Sequence, residues 1–508
     1  MTRRGHRAKR VVAAVRQLPW QRVRNPFPPL EVLSADQVET ILDGALTILE
    51  TKGFRFLEKS SVERLRTAGA DVRGNDNMVR FDRNLVLEKI ALAPADVTLR
   101  ARNPAHDLVI GGNHAVFVSV GGPAFVSDLD KGRRPGTYAE LCDYFRVVQS
   151  LNIIHQEGGC AFEPMDLPPE SRHLDLYLAQ LTLLDKNAQG YALGRARTVD
   201  CLEMTCIALG TDRAGLEREP AVLAIINTNS PMQLDTAMTE ATIELAEALQ
   251  VNCITPFTLA GSMSPATLAG TLAQQTAEVL AVATLAQVIR PGAPVMYGAF
   301  ASNVDMQSGA PALGTPEYTK MALASGQIAR RLGIPFRSSN TTSSNCVDAQ
   351  AAYESEMSLW GAMMGHANLV NHAAGWLEGG LTASFEKLIV DAEMLQMMTE
   401  WMKPLLVNDD EMALDAIAGV APGGHHFGTA HTLARYENAF YAPLLSDRQN
   451  FELWEEGGAR DAAVRANAIW KKLLSEYQKP DIDPAVEEAL RAYVDKRKEE
   501  IAAPGARK

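Results

Sequence analysis

The chain has 508 residues, of which 46% are hydrophobic, so it can bury a large core. Its formal net charge of −12 at pH 7 argues against general nucleic-acid binding, which requires a basic surface. The length allows about two to four domains, or one large barrel with additional elements.

The one strongly basic stretch is the N-terminus. The first thirty residues contain eight arginines and lysines, and no acidic residue precedes Glu31. A block of like charge predicts a poorly ordered or surface-draped arm over residues 1–33, and contact with an acidic partner is the alternative. The arm lacks the apolar core and cleavage site of a secretory signal, and no uninterrupted apolar segment approaches the roughly 20 residues of a membrane span. We therefore expect a soluble cytoplasmic protein.

Residues 34–105 are predicted to form a helical region. The segment "LSADQVETILDGALTILETKGF" begins with Ser34 and Asp36 as capping residues and carries apolar residues at helical spacing. The segment "VTLRARNPAHDLVIGGNHAVFVSV" alternates like a β-hairpin that turns at Asn103 and Pro104.

Over residues 106–403, strand-like and helix-like runs alternate. Alternation of this kind predicts parallel strands with right-handed crossovers, and eight units predict a (β/α)8 TIM barrel of the α/β class. An open doubly wound sheet is the alternative, but no strand is followed by a GxGxxG phosphate-binding turn. The eight strands are predicted within residues 116–128, 152–162, 187–194, 221–230, 252–261, 293–302, 334–342 and 367–376.

Residues 404–508 are predicted as a C-terminal helical extension. "DAAVRANAIWKKLLSEYQ" is an amphipathic helix, and "DPAVEEALRAYVDKRKEE" is a charged terminal helix. Between the barrel and these helices lies Gly423–Gly428, a glycine-flanked pair of histidines that is an unusual sequence for a surface turn.

The candidate site follows from the barrel prediction, because catalytic groups lie at the C-terminal ends of the strands. At the eighth strand end, "NHAAGWLEGGLT" places His372, Trp376 and Glu378 among glycines. The other strand ends are rich in amide, hydroxyl and aromatic groups and poor in lysine and in paired carboxylates, so a phosphosugar enzyme is not expected. A neutral polar cup with aromatic walls suits a small organic cation.

Each of these residues also has a structural interpretation. The aromatic residues and His372 could belong to the core, and Glu378 could form a salt bridge to a neighbouring loop. The six cysteines form no CxxC pair, which argues against a disulfide framework or a structural zinc site.

Taken together, the motifs resemble those of the trimethylamine methyltransferase family, over almost the whole chain. The most specific segments are "SSNCVDAQAAYES", "NLVNHAAGWLEGGLTASFEKLIVDAEML" and "APGGHHFGTAHTLARYENAFYAPLLSDR". The resemblance implies a (β/α)8 barrel that moves a methyl group from a methylated amine to the Co(I) of a separate corrinoid protein. The chain contains no pyrrolysine, so it is similar to the branch whose members demethylate quaternary amines such as glycine betaine.

A quaternary amine leaves as a neutral amine when its methyl group is attacked. The protein then needs to bind the cation, align one N–CH3 bond and exclude water, without an acid or a metal. We expect a corrinoid supplied by a partner protein, no metal bound by this chain, no membrane or nucleic-acid partner, and a homo-oligomer. The predicted site comprises His372 and Glu378 as catalytic residues, Trp376, Tyr297, Phe300, Asn340, Arg337 and Gln156 as substrate-binding residues, and Gly424, His425 and His426 as corrinoid-docking residues.

Two other functions are compatible with the sequence. One is a zinc-dependent methyltransferase acting on a thiol or alcohol, with Cys253, Cys346 and His372 as ligands. The other is a non-catalytic binding protein for betaine-like osmolytes. A betaine carries a carboxylate, and the candidates to bind it are Arg337, Arg195, Asn340 and His372.

Overall fold

The structure is a computed structural model that describes residues 15–503. Eight parallel strands, β1 to β8, form its centre, and each overlaps one of the eight predicted runs. The TIM-barrel prediction is confirmed. In chain order the strands are His114–Ser119, Gln156–Glu157, Asn187–Ala188, Leu223–Ile226, Val251–Ile254, Val295–Gly298, Phe336–Ser339 and Leu369–Ala374.

Strand pairing closes the barrel. Seven strand pairs follow the order β3-β2-β1-β8-β7-β6-β5-β4, and a parallel bridge between Gln189 and Leu223 joins the two ends of this order. All neighbours are parallel, as crossover helices require. The strands are short, so the polar residues that follow them come close together at one end of the barrel.

A helix follows each strand and packs on the outside of the barrel. Side-chain caps fix where several begin: Thr137 and Glu140 form a capping box on the first, and Asp348 and Ser384 cap the last two. Helices α1 to α8 are Tyr138–Ser150, Arg172–Leu183, Arg195–Leu209, Thr236–Glu247, Leu268–Ile289, Pro316–Leu332, Ala349–Met364 and Phe385–Trp401.

The barrel interior is filled at its N-terminal end. Inward-facing side chains of the strands, such as Val116, Cys253 and Met296, form one apolar cluster with Leu99 and Ile110. The last two belong to a hairpin of strands Asp96–Leu99 and Leu108–Gly111, which turns through the 3-10 helix Pro104–His106 as predicted. Because the hairpin covers the base of the barrel, a ligand can enter only from the C-terminal end.

The region before the barrel mixes helices with a small sheet and is therefore not purely helical. Its first helix packs on α5, which explains why α5 is apolar on all sides. By length and composition α5 could cross a membrane, contrary to our reading of the sequence, but 83% of its apolar window is buried within the protein. The helices are Ala35–Thr51, Lys59–Thr67 and Arg83–Ile90, and the strands are Phe54–Phe56, Asp71–Val72, Met78–Arg80 and, from the loop after β4, Gln233–Leu234.

Residues 15–33 lie along the base of the barrel. Val23 and Arg24 pair with the start of β1 in antiparallel fashion, and the buried side chain of Asn25 donates a hydrogen bond to the carbonyl of Met363 at 2.7 Å. This part of the basic stretch is draped on the surface. The predicted arm residues Arg3, Arg4, Arg7, Lys9 and Arg10 lie outside the described residues.

Two small sheets stand on the C-terminal face of the barrel, in the loops after its strands. One consists of Phe125–Ser127, Trp376–Leu377 and Thr382–Ser384, and the other of Leu259–Ala260, Ser302–Val304 and Pro311–Ala312. The remaining helices are the short Arg213–Arg218 and 3-10 Glu378–Gly380, and, in the C-terminal extension, Asp409–Met412, Leu414–Ala418, Ala430–Arg435, Phe451–Glu456, Ala462–Ser475 and Pro484–Ala502.

Candidate active site

A cavity of about 330 Å³ opens at the C-terminal end of the barrel, a size suited to a small organic ligand. Seven of the eight strands contribute to it through residues of the strand or of the loop that follows. Its lining is Gly121, Gly122, Gly158, Gly159, Cys160, Glu163, Gln189, Gly190, Tyr191, Ala192, Leu193, Ile225, Asn227, Met238, Phe300, Arg337, Asn371, His372, Trp376 and Gly380.

Strand β8 bulges where it reaches the cavity. Its pairing with β1 shifts register between Val370 and Ala374, and His372 in the bulge has a φ of 53°, in the left-handed region. A bulge redirects side chains that a regular strand would hold in alternation, and a non-glycine residue in this conformation is strained. The bulge brings Asn371 and His372 into the cavity lining together.

Three rings form an aromatic wall. The centroids of His372 and Trp376 lie 4.4 Å apart, and Phe300 lies 6.0 Å from each of them. The ring of Phe300 is almost perpendicular to the indole, at 87°. The indole N–H donates a hydrogen bond to the carbonyl of Thr342 at 3.1 Å, which fixes the Trp376 side chain.

The glycines around Trp376 are required by close packing. A Cβ atom on Gly375, whose φ is 103°, would lie 2.1 Å from the Tyr144 hydroxyl. A Cβ atom on Gly380, whose φ is 98°, would lie 2.4 Å from the indole ring. Both positions also need a backbone conformation that glycine adopts without strain. The pattern of glycines and large side chains in this loop therefore shapes the wall.

A buried ion pair holds the loop from behind. Asp391 and Lys387, both fully buried on α8, form a salt bridge, and the backbone N–H of Gly375 donates to Asp391 at 2.8 Å. The Lys387 ammonium also donates to the Ser355 hydroxyl at 2.8 Å. A buried pair satisfied in this way fixes the position of the backbone between His372 and Trp376.

Arg337 on β7 carries an uncompensated charge. Its side chain is 1% exposed, and it forms no salt bridge to any residue among 15–503. One guanidinium N–H donates to the Ala299 carbonyl at 3.2 Å, and the group lies 5.0 Å from the centre of the Phe300 ring. Burial lowers the pKa of Arg337, yet an arginine keeps its proton in proteins. Buried charges are normally paired, so the partner of this one is missing from the described chain.

His372 is neutral, because burial and the neighbouring Arg337 charge lower its pKa well below the ordinary value. Both of its ring nitrogens face donors: the N–H of Gly121 at 3.4 Å from Nδ1, and a guanidinium N–H of Arg337 at 3.4 Å from Nε2. A neutral imidazole can accept only one hydrogen bond, so one donor here has no acceptor. The cavity therefore contains a surplus of donors beside a positive charge.

Other polar atoms of the lining also lack partners. Such buried atoms are uncommon in native proteins, and each calls for a water, an ion or a ligand. Among the described residues the unpartnered atoms of the lining are Arg337 Nε, Gln189 Oε1, Tyr191 Oη and Asn371 Oδ1.

A family model described as trimethylamine methyltransferase (MTTB) matches residues 1–502. The chain belongs to the trimethylamine methyltransferase family. This methyltransferase is 37% identical to a glycine betaine methyltransferase of Desulfitobacterium hafniense (strain Y51), over 94% of this chain and 98% of that protein. It is 26% identical to trimethylamine methyltransferase MttB of D. hafniense (strain DSM 10664 / DCB-2), over 92% and 94%.

A solved structure with a similar outline is the Methanosarcina barkeri monomethylamine methyltransferase. Its TM-score is 0.48 at 9% identity, with 89% of this chain and 90% of that chain covered.

The methyltransferase brings four of the predicted residues together: Phe300, Arg337, His372 and Trp376 all line the cavity. Glu378 does not line it. Its carboxylate accepts a hydrogen bond from Arg133 Nε at 2.8 Å, so the salt-bridge interpretation describes its contact.

The prediction that Tyr297 walls the site is wrong. Side chains alternate along a strand, and on β6 Met296 points into the barrel while Tyr297 points to the helices. The Tyr297 hydroxyl forms hydrogen bonds to Thr276 at 2.7 Å and Gln275 at 3.1 Å, both on α5. It is fully buried and has no part in the lining.

Gln156 and Asn340 are also absent from the lining, and both are fully buried. Gln156 donates to the Asn187 side chain at 2.5 Å, and Asn340 donates to the Ala373 carbonyl at 3.0 Å. They pack the barrel around the cavity. The predicted site included neither Gln189 nor Asn371, and both line the cavity. Gln189 directly follows β3 and Asn371 lies within β8, and the side-chain oxygens of both have no partner in the described chain.

Gly424, His425 and His426 are not brought to the cavity. All three are exposed, and no residue after Trp401 belongs to the lining. Their segment begins at the end of α8 that lies at the base of the barrel, because α8 starts on the C-terminal face. The prediction that they shape the mouth finds no support in the cavity lining.

The zinc alternative lacks a site. Within residues 15–503 no three His, Cys, Asp or Glu side chains are grouped to hold a metal, so Cys253, Cys346 and His372 do not come together. Cys253 is fully buried in the barrel interior, whereas Cys346 is exposed.

Glu157 at the end of β2 lies directly beneath the lining residues Gly158 and Gly159. One carboxyl oxygen accepts from the Gly159 N–H at 2.8 Å and from Gln180 at 2.6 Å, and the other has no partner in the described chain. Burial raises the pKa of Glu157 to about 8. The group is therefore a neutral acid at pH 7.

We predict that Glu157→Gln changes how stability depends on pH. A carboxyl whose pKa is raised on folding stabilises the fold below its unfolded value of 4.5, and this contribution is lost as pH rises through about 8. The melting temperature of the variant relative to the parent chain should therefore increase from about pH 5 to about pH 8 and level off above about pH 8. A difference that does not vary with pH would contradict the buried neutral acid.

Proposed function

We propose that the protein transfers a methyl group from a quaternary amine that carries a carboxylate, a glycine betaine-like compound, to the Co(I) of a corrinoid protein. The observation that carries this proposal is the buried, unpaired guanidinium of Arg337 beside an aromatic wall. The name of the 37% identical relative, glycine betaine methyltransferase, supports the same substrate class.

The depth of each group sets the orientation of the substrate. Arg337 lies within strand β7, whereas Phe300 and Trp376 each lie two residues beyond the ends of β6 and β8. The carboxylate of a betaine would bind the guanidinium deep in the barrel and accept from the donors around His372. Its trimethylammonium group would then lie higher, among the aromatic rings.

This orientation is the one that methyl transfer needs. The faces of aromatic rings hold a cation without an anionic side chain, so no ion pair has to be broken when the ammonium becomes a neutral amine. With the carboxylate at the floor, an N–CH3 bond points to the open end of the barrel. Binding thus aligns the bond with a nucleophile that arrives from outside.

The reaction requires no further catalytic group from the protein. The Co(I) of the corrinoid protein would supply the electron pair of the new bond to carbon, and the C–N bonding pair would stay on nitrogen, which would leave as a neutral tertiary amine. No proton has to be delivered, in keeping with a neutral His372 and a neutral Glu157 in or beneath the cavity. His372 is therefore assigned to binding and positioning.

The corrinoid protein would dock on the C-terminal face. Five loops there each present one exposed, large apolar side chain, with exposed fractions from 45% to 71%. They surround the mouth, because each loop follows a different barrel strand. This apolar rim consists of Leu129, Met165, Leu193, Met306 and Leu381. The rim takes the docking role that the sequence had suggested for Gly424, His425 and His426.

The proposed location is the cytoplasm. All six cysteines are free thiols, five of them buried, and none is paired in a disulfide. Unpaired cysteines in this number are typical of a reducing compartment.

Methyl transfer tests the proposal directly. The purified chain is incubated with Co(I)-cobalamin or a reduced corrinoid protein and a panel of amines: glycine betaine, proline betaine, carnitine, choline and trimethylamine. We expect the absorbance of methylated cobalt to increase with carboxylated quaternary amines. Binding of a betaine without transfer to any reduced corrinoid would favour the non-catalytic osmolyte-binding protein.

Replacing Arg337 should weaken the binding of betaines more than the binding of choline. Arg337→Gln removes the proposed partner of the carboxylate, and a hydrogen bond to a charged group contributes about 1.5–3 kcal/mol, or roughly tenfold to more than a hundredfold in affinity. Calorimetry should show this loss for glycine betaine and a much smaller one for choline. Arg133→Gln, at an exposed arginine on the same face, is the control. Equal losses for both ligands would contradict a carboxylate site.

Replacing Phe300 should weaken the binding of a trimethylammonium ligand more than that of an isostere with an uncharged tert-butyl group. Phe300→Leu keeps an apolar side chain but removes the ring face, which should cost about 0.5–2 kcal/mol in binding glycine betaine. Binding of 3,3-dimethylbutyrate, in which a carbon replaces the charged nitrogen, should change little. The matched control is Tyr297→Phe, whose ring faces the helices. The aromatic cage is wrong if both ligands lose affinity equally.

Charged substitutions on the apolar rim should impair methyl transfer to the corrinoid protein but not methyl transfer to free Co(I)-cobalamin. Met306→Glu and Leu381→Glu place carboxylates on the exposed rim, where burial against a partner would cost several kcal/mol. We expect a higher KM for the corrinoid protein, with unchanged binding of glycine betaine and an unchanged rate with free Co(I)-cobalamin. Leu92→Glu, at an exposed leucine far from the mouth, is the control. Unchanged kinetics with the protein carrier would rule out docking at the rim.

A further inference from the structure

Residues 403–442, termed here the C-terminal arm, form ordered local structure without a core. The arm contains three short helices, and the side chains of Asn408 and Thr429 cap two of them. A salt bridge between Asp410 and Arg435 ties its two halves together. Yet not one of its forty residues is buried in the chain.

The arm is rich in exposed apolar side chains. Phe427, Tyr436 and Phe440 are 80%, 79% and 87% exposed, and Leu405, Val407 and Leu433 are exposed by 62% or more. Monomeric proteins rarely expose contiguous apolar patches larger than a few hundred Å². With roughly 150 Å² for each large side chain, these six residues alone offer about 700–900 Å², close to the roughly 800 Å² that each partner buries in a standard interface.

Few hydrogen bonds attach the arm to the rest of its chain. Arg16 donates to the carbonyl of Glu437 at 3.3 Å, and the Tyr441 hydroxyl donates to Glu393 at 3.0 Å. Both contacts lie near the end of the arm that rejoins the barrel. Contacts this sparse do not offset the conformational entropy lost when forty residues are ordered.

Helices α7 and α8 also carry a stripe of exposed apolar side chains. Tyr353 and Met357 lie four residues apart on α7 and are 59% and 39% exposed, and Met397 and Trp401 have the same spacing on α8 at 50% and 47%. Residues at this spacing share one side of a helix, and the two helices are neighbours. The apolar stripe leads directly into the arm, which begins two residues after Trp401.

We propose that the arm packs on a second copy of this chain, against the apolar stripe on helices α7 and α8 of that copy. The arm of the second copy makes the same contact with the stripe of the first. Two complementary patches on one chain allow such a two-fold, self-complementary interface. A segment that is ordered only by contact with a partner requires a partner that stays bound. Permanent interfaces are more apolar than transient ones, as the exposed side chains of the arm require. In the proposed function, the corrinoid protein docks at the apolar rim and leaves after each turnover, so it would not cover the arm permanently.

Sedimentation velocity over nanomolar to micromolar concentrations tests the proposal. We expect the parent chain to sediment as a multiple of its 55.2 kDa mass, and Phe427→Ser with Phe440→Ser to sediment as the monomer. Tyr353→Glu with Met397→Glu should give the same monomer although its arm is intact. Met165→Ser with Leu381→Ser, on the C-terminal face, should keep the parent assembly.

Hydrogen–deuterium exchange locates the contact independently. Amides of residues 403–442 should exchange slowly in the parent chain and fast in both monomeric variants, while barrel amides are unchanged. A parent chain that is monomeric throughout, or arm variants that keep the parent mass, would overturn the proposal. It is equally wrong if the arm becomes protected only after a purified corrinoid protein is added.

Discussion

The structure of the site depends on one electrostatic constraint, a guanidinium buried in the barrel without a carboxylate. Removing a charge from water costs several kcal/mol, even after the protein relaxes around it. Arg337 recovers part of this cost from the Ala299 carbonyl and the Phe300 ring, both of which follow β6. In the proposed function the carboxylate of the substrate supplies the rest. Ligand binding therefore completes an interaction that the fold leaves open.

The surrounding structure holds that charge and the aromatic wall at fixed positions. The bulge in β8 places His372 beside Arg337, at the cost of a strained backbone. The glycine loop after β8 lets the indole of Trp376 pack closely, and the pair of Lys387 and Asp391 anchors the loop. Rigid support of this kind suits an enzyme that works by alignment, because misplacing the methyl group would lose most of the advantage of binding it.

The sequence predicted the barrel because strand and helix periodicities are local, and four of the predicted site residues line one cavity because strand ends converge in this fold. Side-chain direction was harder. The alternation along β6 excludes Tyr297 once Met296 is assigned to the interior, but the boundaries of short strands are too uncertain to fix that phase from sequence. The bulge at His372 changes the phase again. Unpaired donors, such as Arg337 Nε, become visible only when every neighbour is in place.

A crystal structure of the chain with glycine betaine tests the central claim most directly. The account predicts a carboxylate within hydrogen-bonding distance of the Arg337 guanidinium, and a trimethylammonium group between Phe300 and Trp376 with one methyl facing the open end of the barrel. A ligand bound in the reverse orientation, with its carboxylate at the mouth and Arg337 still unpaired, would contradict it.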